Sequence, residues 1–216
     1  MKKNIVLFAI FSTVIFSAQA QKKVATIPYP LEVVNQPLSY IVTDSSVEIS
    51  AKGKTNLFNN PNGKSDVQSA PMLLFAPAGD FTLSAKVTGA LKSVYDVAAL
   101  VVYQNKDTWA KLCYENSVDK IPTIVSVVTR RYSDDCNSVS AGESAYLAMV
   151  KKGNEYSLFY APNKASGWKM IRNFYLEKKD TVKVGFAAHG SRGDGFTAHF
   201  SDIKFADKAV EDMRTF

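Results

Sequence analysis

Cysteine, histidine and tryptophan are scarce in this chain, two of each among 216 residues. Two cysteines are too few to staple a core, so a disulfide scaffold is excluded. Glycine and proline number 11 and 8 with no period, which excludes collagen-like and low-complexity architectures. Hydrophobic residues at 46% against 21% charged exclude a disordered chain. No block of one charge sign occurs. The formal charge of +6 is spread over single cations and pairs such as Lys22-Lys23, Arg130-Arg131, Lys151-Lys152 and Lys178-Lys179. Proteins that bind nucleic acid gather such charge into a stripe interleaved with stacking aromatics, and that partner is set aside. Catalytic signatures are missing too: there is no Gly-x-Ser-x-Gly and no His-Glu-x-x-His. Gly190-x-x-Gly193-x-Gly195 lacks the strand-to-helix setting of a phosphate loop, and Arg192-Gly193-Asp194 sits in a Gly-rich turn that calls for positive φ.

Long apolar runs are also wanting, with one exception. Met1-Lys2-Lys3 is basic, Ile5 to Phe16 is nearly all apolar, and Ala18-Gln19-Ala20 follows. This order matches a secretory signal cleaved near Ala20, because the apolar run falls short of the about 20 residues a bilayer span needs. No cysteine follows the run to carry a lipid anchor. The expected mature protein is secreted or periplasmic and has no membrane span. Its charge is two lower, since Lys2 and Lys3 leave with residues 1–20.

What is abundant is β signal. Residues 21–45 carry Pro28, Pro30 and Pro37 and read as an N-terminal leader laid on a domain surface. Over 46–206, short Val/Ile/Thr/aromatic runs alternate with Gly, Asn and Asp breaks such as Asn59-Asn60-Pro61-Asn62-Gly63 and Lys152-Gly153-Asn154. Ten or so strands are expected, among them 81–88, 97–103, 109–115, 123–131, 181–189 and 195–205, forming one all-β sandwich or barrel. Residues 207–216 are left as a C-terminal tail or short helix.

Two hairpins carry candidate chemistry. In the last, Val184, Phe186 and Ala188 face Phe196, Ala198 and Phe200, which puts His189 and His199 together on the polar face. Two ligands are too few for a zinc site, so no metal is assigned. In the other, alternation places Trp109, Lys111, Cys113 and Glu115 on one face of a strand. That row reads either as a wetted outer face or as a groove where Trp109 stacks a sugar while Lys111 and Glu115 hold its hydroxyls. Residues 131–140, with Ser133, Asp134 and Asp135, read as a loop. Its short acceptors suit a calcium loop near Asp134 and Asp135, a clamp on sugar hydroxyls, or a tight polar turn. Cys113 and Cys136 form a disulfide only if this loop folds back; otherwise they are two separate buried thiols.

Several of these blocks resemble a known family. Asp96-Val-Ala-Ala-Leu-Val-Val-Tyr103, Trp109-Ala-Lys111-Leu-Cys-Tyr-Glu115, Val125-Ser-Val-Val-Thr129 and Ser133-Asp134-Asp135-Cys136 are similar to a concanavalin A-like jelly-roll family of unassigned function, named after a regulator of enolase. Tyr156-Ser-Leu-Phe-Tyr160, Gly167-Trp168-Lys169 and Val184-Gly185-Phe186 extend the likeness over about Pro71 to Phe205. The resemblance implies two curved antiparallel sheets with Trp109, Lys111 and Glu115 on the concave face. The enolase label does not suit an exported protein and is not carried over. The Glu-x-Asp-x-x-x-Glu strand of the retaining glucanases in the wider fold is absent.

The leading expectation is therefore a secreted carbohydrate-binding sandwich. Trp109 would be its stacking platform, with Lys111, Glu115, Thr129, Ser133, Asp134, Asp135 and His189 as the hydrogen-bonding rim. A second expectation is a glycan-active hydrolase or lyase, with Glu115 as catalytic acid/base and His189 or Lys111 assisting. A third is a structural domain that meets another protein through this face.

Overall fold

The computed structural model describes residues 23–216, and the expected signal segment lies outside the described residues. The strands are β1 (Glu32–Val34), β2 (Ser39–Val42), β3 (Val47–Lys52), β4 (Leu57–Asn59), β5 (Asp66–Gln68), β6 (Met72–Phe75), β7 (Phe81–Thr88), β8 (Asp96–Asn105), β9 (Thr108–Asn116), β10 (Pro122–Arg130), β11 (Tyr132–Ser140), β12 (Ser144–Lys152), β13 (Glu155–Ala161), β14 (Lys169–Tyr175), β15 (Lys183–Gly190) and β16 (Gly195–Ala206). No helix occurs among the described residues. Two seven-stranded antiparallel sheets form, in the orders β1-β6-β15-β8-β9-β10-β11 and β14-β13-β12-β7-β16-β3-β2, and β4 and β5 make a small separate hairpin.

The main core lies between the two sheets. Alternation in β7 sends Phe81, Leu83, Ala85 and Val87 inward to meet Ala98, Leu100 and Val102 of β8. Phe186 and Phe200 meet across the sandwich with ring centroids 4.9 Å apart. The first sheet is also apolar on its outer face. There Val97, Ala99, Val101, Trp109, Val125 and Val127 are covered by Leu57, Phe58 and neighbouring residues of the β4–β5 segment. Strand β8 is thus buried on both faces, which explains its unbroken apolar run, Val97 to Val102.

Several expectations change at this level. The leader does more than lie on the surface: Val24, Ile27 and Leu31 enter the core, and β1 and β2 extend an edge of each sheet. Residues 131–140 are not a loop but the edge strand β11, joined to β10 by a tight turn with Arg131 at φ 71°. Strands β15 and β16 do not form a hairpin, because β15 pairs with β6 and β8 while β16 pairs with β3 and β7. A step between sheets satisfies both apolar faces as well as a hairpin does, so alternation alone cannot separate the two. His199 consequently lies on the other sheet, beside Glu48 at 3.1 Å, far from His189's strand neighbours. Residues 207–216 form an irregular tail; Met213 packs on Ala148, Val150 and Phe159.

The loop between β15 and β16 is seated by close backbone approach. A Cβ on Gly53 would come within 2.3 Å of the Gly193 carbonyl oxygen, and the Gly53 amide donates to the Asp194 carbonyl at 2.8 Å. The glycine requirement in this segment therefore comes from contact between chains of backbone. Ser191 is held by its own bonds, its amide donating to the Tyr95 carbonyl and its hydroxyl to the Thr55 carbonyl, both at 3.2 Å.

Candidate functional site

Register decides which side chains share the outer face. Lys111 stands opposite Val101 on one side and Val127 on the other, and Val127 stands opposite Asp135. Glu115 stands opposite Val97, which stands opposite His189. Residues directly opposite in a sheet point to the same side. Lys111, Glu115, Asp135 and His189 therefore converge from β9, β11 and β15 on a cavity of about 370 Å³. Its remaining walls come from Lys54 and Phe58 near the hairpin and from Tyr95, Ser191 and Arg192 on the loops.

The floor is an ordered polar chain. The Lys111 ammonium donates to His189 Nε2 at 3.1 Å. An ammonium has no lone pair, so Nε2 must be the acceptor and the imidazole proton sits on Nδ1. Nδ1 then donates to Ser191 Oγ at 3.2 Å, and that hydroxyl donates to the Thr55 carbonyl at 3.2 Å. Lys111 and His189 are buried, 3% and 2% exposed. Burial, reinforced by the Lys111 charge, holds His189 well below the ordinary imidazole range, so it is neutral. Burial pushes the Glu115 carboxyl up to about 7; Lys111 opposes this and Asp135 adds to it. On the rim, the Arg192 guanidinium lies 6.0 Å from the Tyr95 ring centre. Tyr95 itself adopts φ 64°, a left-handed conformation that costs a bulky residue about 1–3 kcal/mol and recurs at ligand sites.

The expected platform and three of the expected rim residues do not line the cavity. Trp109 is fully buried under the β4–β5 hairpin, so it is no platform for a ligand. Its indole donates to the Lys106 carbonyl at 3.3 Å, and its ring lies 6.0 Å from the Lys111 ammonium, as a floor for that charge. Thr129 and Ser133 are buried beside it, with their hydroxyls 2.9 Å apart, and Ser133 Oγ accepts the Asn59 amide at 2.9 Å. Asn59 Nδ2 donates to the Lys106 and Arg131 carbonyls, both at 2.9 Å. These groups clasp the hairpin onto the sheet. Asp134 points to the other face of β11 and pairs with Arg172 of β14 at 2.6 Å, tying the edge strands of the two sheets together.

Of the two readings left open for the cysteines, the disulfide does not form: Cys113 and Cys136 are free thiols, the first buried and the second exposed rather than buried. Cys113 faces the outer cluster opposite Val125. Cys136 lies opposite Ser126, one residue further along β10 and hence on the other face of the sheet. Burial pushes the Cys113 thiol up to about 12. Among the described residues, no three His, Cys, Asp or Glu side chains gather as a metal site, and Asp134 and Asp135 diverge.

Sequence reasoning missed Lys54, Phe58, Tyr95, Ser191 and Arg192. The only trace of the last two was the Arg192-Gly193-Asp194 segment, read as a turn. Nothing local signals that residues 54–67 will lie across a sheet built from residues 96–140.

Matching of the sequence against known families gives an agreement over residues 33–208 with DUF1349, described as a protein of unknown function. This chain belongs to that family. Among solved structures, a functionally unknown protein from Saccharomyces cerevisiae superposes with TM-score 0.77 at 21% identity, covering 88% of this chain and all of that one. The GH43 protein BlXynB from Bacillus licheniformis superposes with TM-score 0.65 at 12% identity; the match covers 89% of this chain but only 40% of that one. The exoplasmic/lumenal domain of VIP36, in a form bound to Ca2+ and Man3GlcNAc, superposes with TM-score 0.50 at 10% identity over 84% of this chain and 85% of that one. Curated proteins give no match. These likenesses, with the two antiparallel sheets, define a concanavalin A-like jelly-roll sandwich. No helix among the described residues is long and apolar enough to cross a membrane.

Proposed function

We propose that this protein is an exported carbohydrate-binding sandwich whose ligand enters the cavity between Lys111, Glu115, Asp135 and His189. The observation that carries the reading is the cavity itself. It offers Tyr95 and Phe58 as ring surfaces and several convergent polar groups, in a volume within the range of about 300–1,000 Å³ usual for small-ligand pockets. Fold neighbours that include a Man3GlcNAc-bound lumenal domain and a GH43 protein support the ligand class. In this reading Tyr95 takes over the stacking role first assigned to Trp109. A glycan array read with wild type and Tyr95→Ala tests it: glycans retained by wild type should be lost by the variant. Retention of every glycan by Tyr95→Ala overturns the reading. Export is tested by sequencing the mature N-terminus, expected at Gln21.

A catalytic reading has one observation in its favour. A carboxyl near 7 that is partly buried beside a cation is poised to give or take a proton at neutral pH. It requires turnover of a glycan that disappears in Glu115→Gln while binding of that glycan persists. Binding without turnover in wild type refutes it and leaves the binding reading intact.

A further inference from the structure

We propose that the sugar this cavity selects carries a carboxylate: a uronic acid residue, with its anionic group seated on the Lys111 ammonium. The inference rests on the carbohydrate-binding reading and specifies its ligand. It starts from a buried ammonium that no carboxylate among the described residues approaches within ion-pair distance.

Lys111 is 3% exposed, and of its three N–H donors one is taken by His189. His189 is locked as a neutral acceptor by its own donation to Ser191, so it contributes no negative charge. The Trp109 ring at 6.0 Å supplies only the weak attraction of an aromatic face. No ion pair holds Lys111 among the described residues, although Glu115 and Asp135 share its cavity. An isolated charge taken out of water is costly, and native structures pair or hydrogen-bond it. Here His189 takes one donor, and Lys111 lines the cavity, where a ligand can meet the others.

The surrounding charges point the same way. Lys54 and Arg192 add positive charge to the walls, against the carboxyls of Glu115 and Asp135. Glu115 is displaced toward its neutral form by burial, which removes one of those two negative charges as the pH falls below neutral. A carboxylate has two oxygens for the other donors of Lys111, and charge-assisted bonds of this kind are among the stronger ones. A sugar also supplies hydroxyls for Asp135 and a ring face for Tyr95, which a free inorganic anion does not. The pairing fills the missing role on each side: the protein gains a counter-ion, and the ligand's charge is desolvated against a fixed cation.

The test is calorimetric titration of the full chain with galacturonate and glucuronate oligosaccharides and with their neutral galactose, glucose and xylose counterparts. The acidic ligands should bind at least about tenfold tighter, the difference that one charged hydrogen bond makes. Lys111→Met should erase that preference, so that acidic and neutral counterparts bind with similar affinity. Arg192→Gln, on the rim, keeps the test available if Lys111→Met fails to fold, and should narrow the preference for the acidic ligands. Between pH 8 and pH 6 the acidic ligands should gain affinity as Glu115 takes up a proton, and the neutral ones should not. Equal or tighter binding of neutral sugars overturns the uronate inference and leaves the carbohydrate reading standing. Binding of no sugar of either kind overturns both.

Discussion

Replacing Glu115 by glutamine should change how the stability of this protein depends on pH, with a sign that the site geometry dictates. Burial raises the Glu115 carboxyl from 4.5 to about 7 in the folded chain. Below about 4.5 the group is protonated whether the chain is folded or not. Between about 4.5 and 7 the folded chain keeps a proton that the unfolded chain has released, so stability falls as pH rises. Above about 7 both states are ionised and the full penalty of a buried carboxylate is present. A displacement of that size corresponds to about 3 kcal/mol at most, since part of the carboxyl still meets solvent. His189 acts in the opposite sense. Its imidazole is held well below 6.5, so stability is lost as pH falls below the unfolded value. The two slopes overlap, and the wild-type curve alone cannot assign either. The difference between Glu115→Gln and wild type isolates the first. In urea unfolding followed by fluorescence, the variant should gain up to about 3 kcal/mol on wild type between pH 4.5 and pH 8, equivalent to about 6–12 °C in Tm for a domain of this size. Parallel curves for the two proteins would show that Glu115 is ionised and solvated in the folded chain. The account of the cavity floor would then be wrong.

Other expectations follow from the same packing. Trp109→Ala should cost about 3–5 kcal/mol in equilibrium unfolding, as loss of a fully buried indole beneath the hairpin, and not merely weaken a ligand. Asn59→Ala removes a side chain that donates to two carbonyls; it should cost about 1–3 kcal/mol and speed amide exchange in residues 57–68 ahead of the rest of the chain. One thiol per chain should react with a maleimide at pH 8 in the folded protein and two after denaturation, because Cys136 is exposed and Cys113 is buried with its thiol at about 12. A mass two daltons below that of the dithiol form, rising by two daltons on reduction, would instead restore the disulfide. Asp134→Asn should alter stability by about 1 kcal/mol or less, since the Asp134 side chain is largely solvated in its pair with Arg172.

The residues that were legible early and those that were not differ in one physical respect. Period-two alternation assigned the inward faces of β15 and β16 correctly, because a strand's two faces are a local property of its own backbone. The same alternation put Trp109, Lys111, Cys113 and Glu115 on one face, as the register shows. It could not tell that half of this face would be dry. Trp109 and Lys111 are two residues apart on the same side, yet one lies under a hairpin and the other at a cavity floor. The β15–β16 segment shows the converse limit. Its apolar pattern suits a hairpin and a change of sheet equally, and only the competing strands β8 and β7 decide between them.

By itself the sequence determined an all-β chain, the strands with strong period-two patterning, and the polar row on β9. These depend on spacing within a few residues, where side-chain direction follows from the pleat. The tertiary structure alone decided that β4–β5 crosses the outer face, that Thr129 and Ser133 clasp it, and that Cys113 and Cys136 point apart. It alone brought Ser191, Arg192 and Tyr95 to Lys111, over separations of 16 to 81 residues. Contacts of that range are set by which strands win their neighbours across the whole sheet, a competition that no local window records.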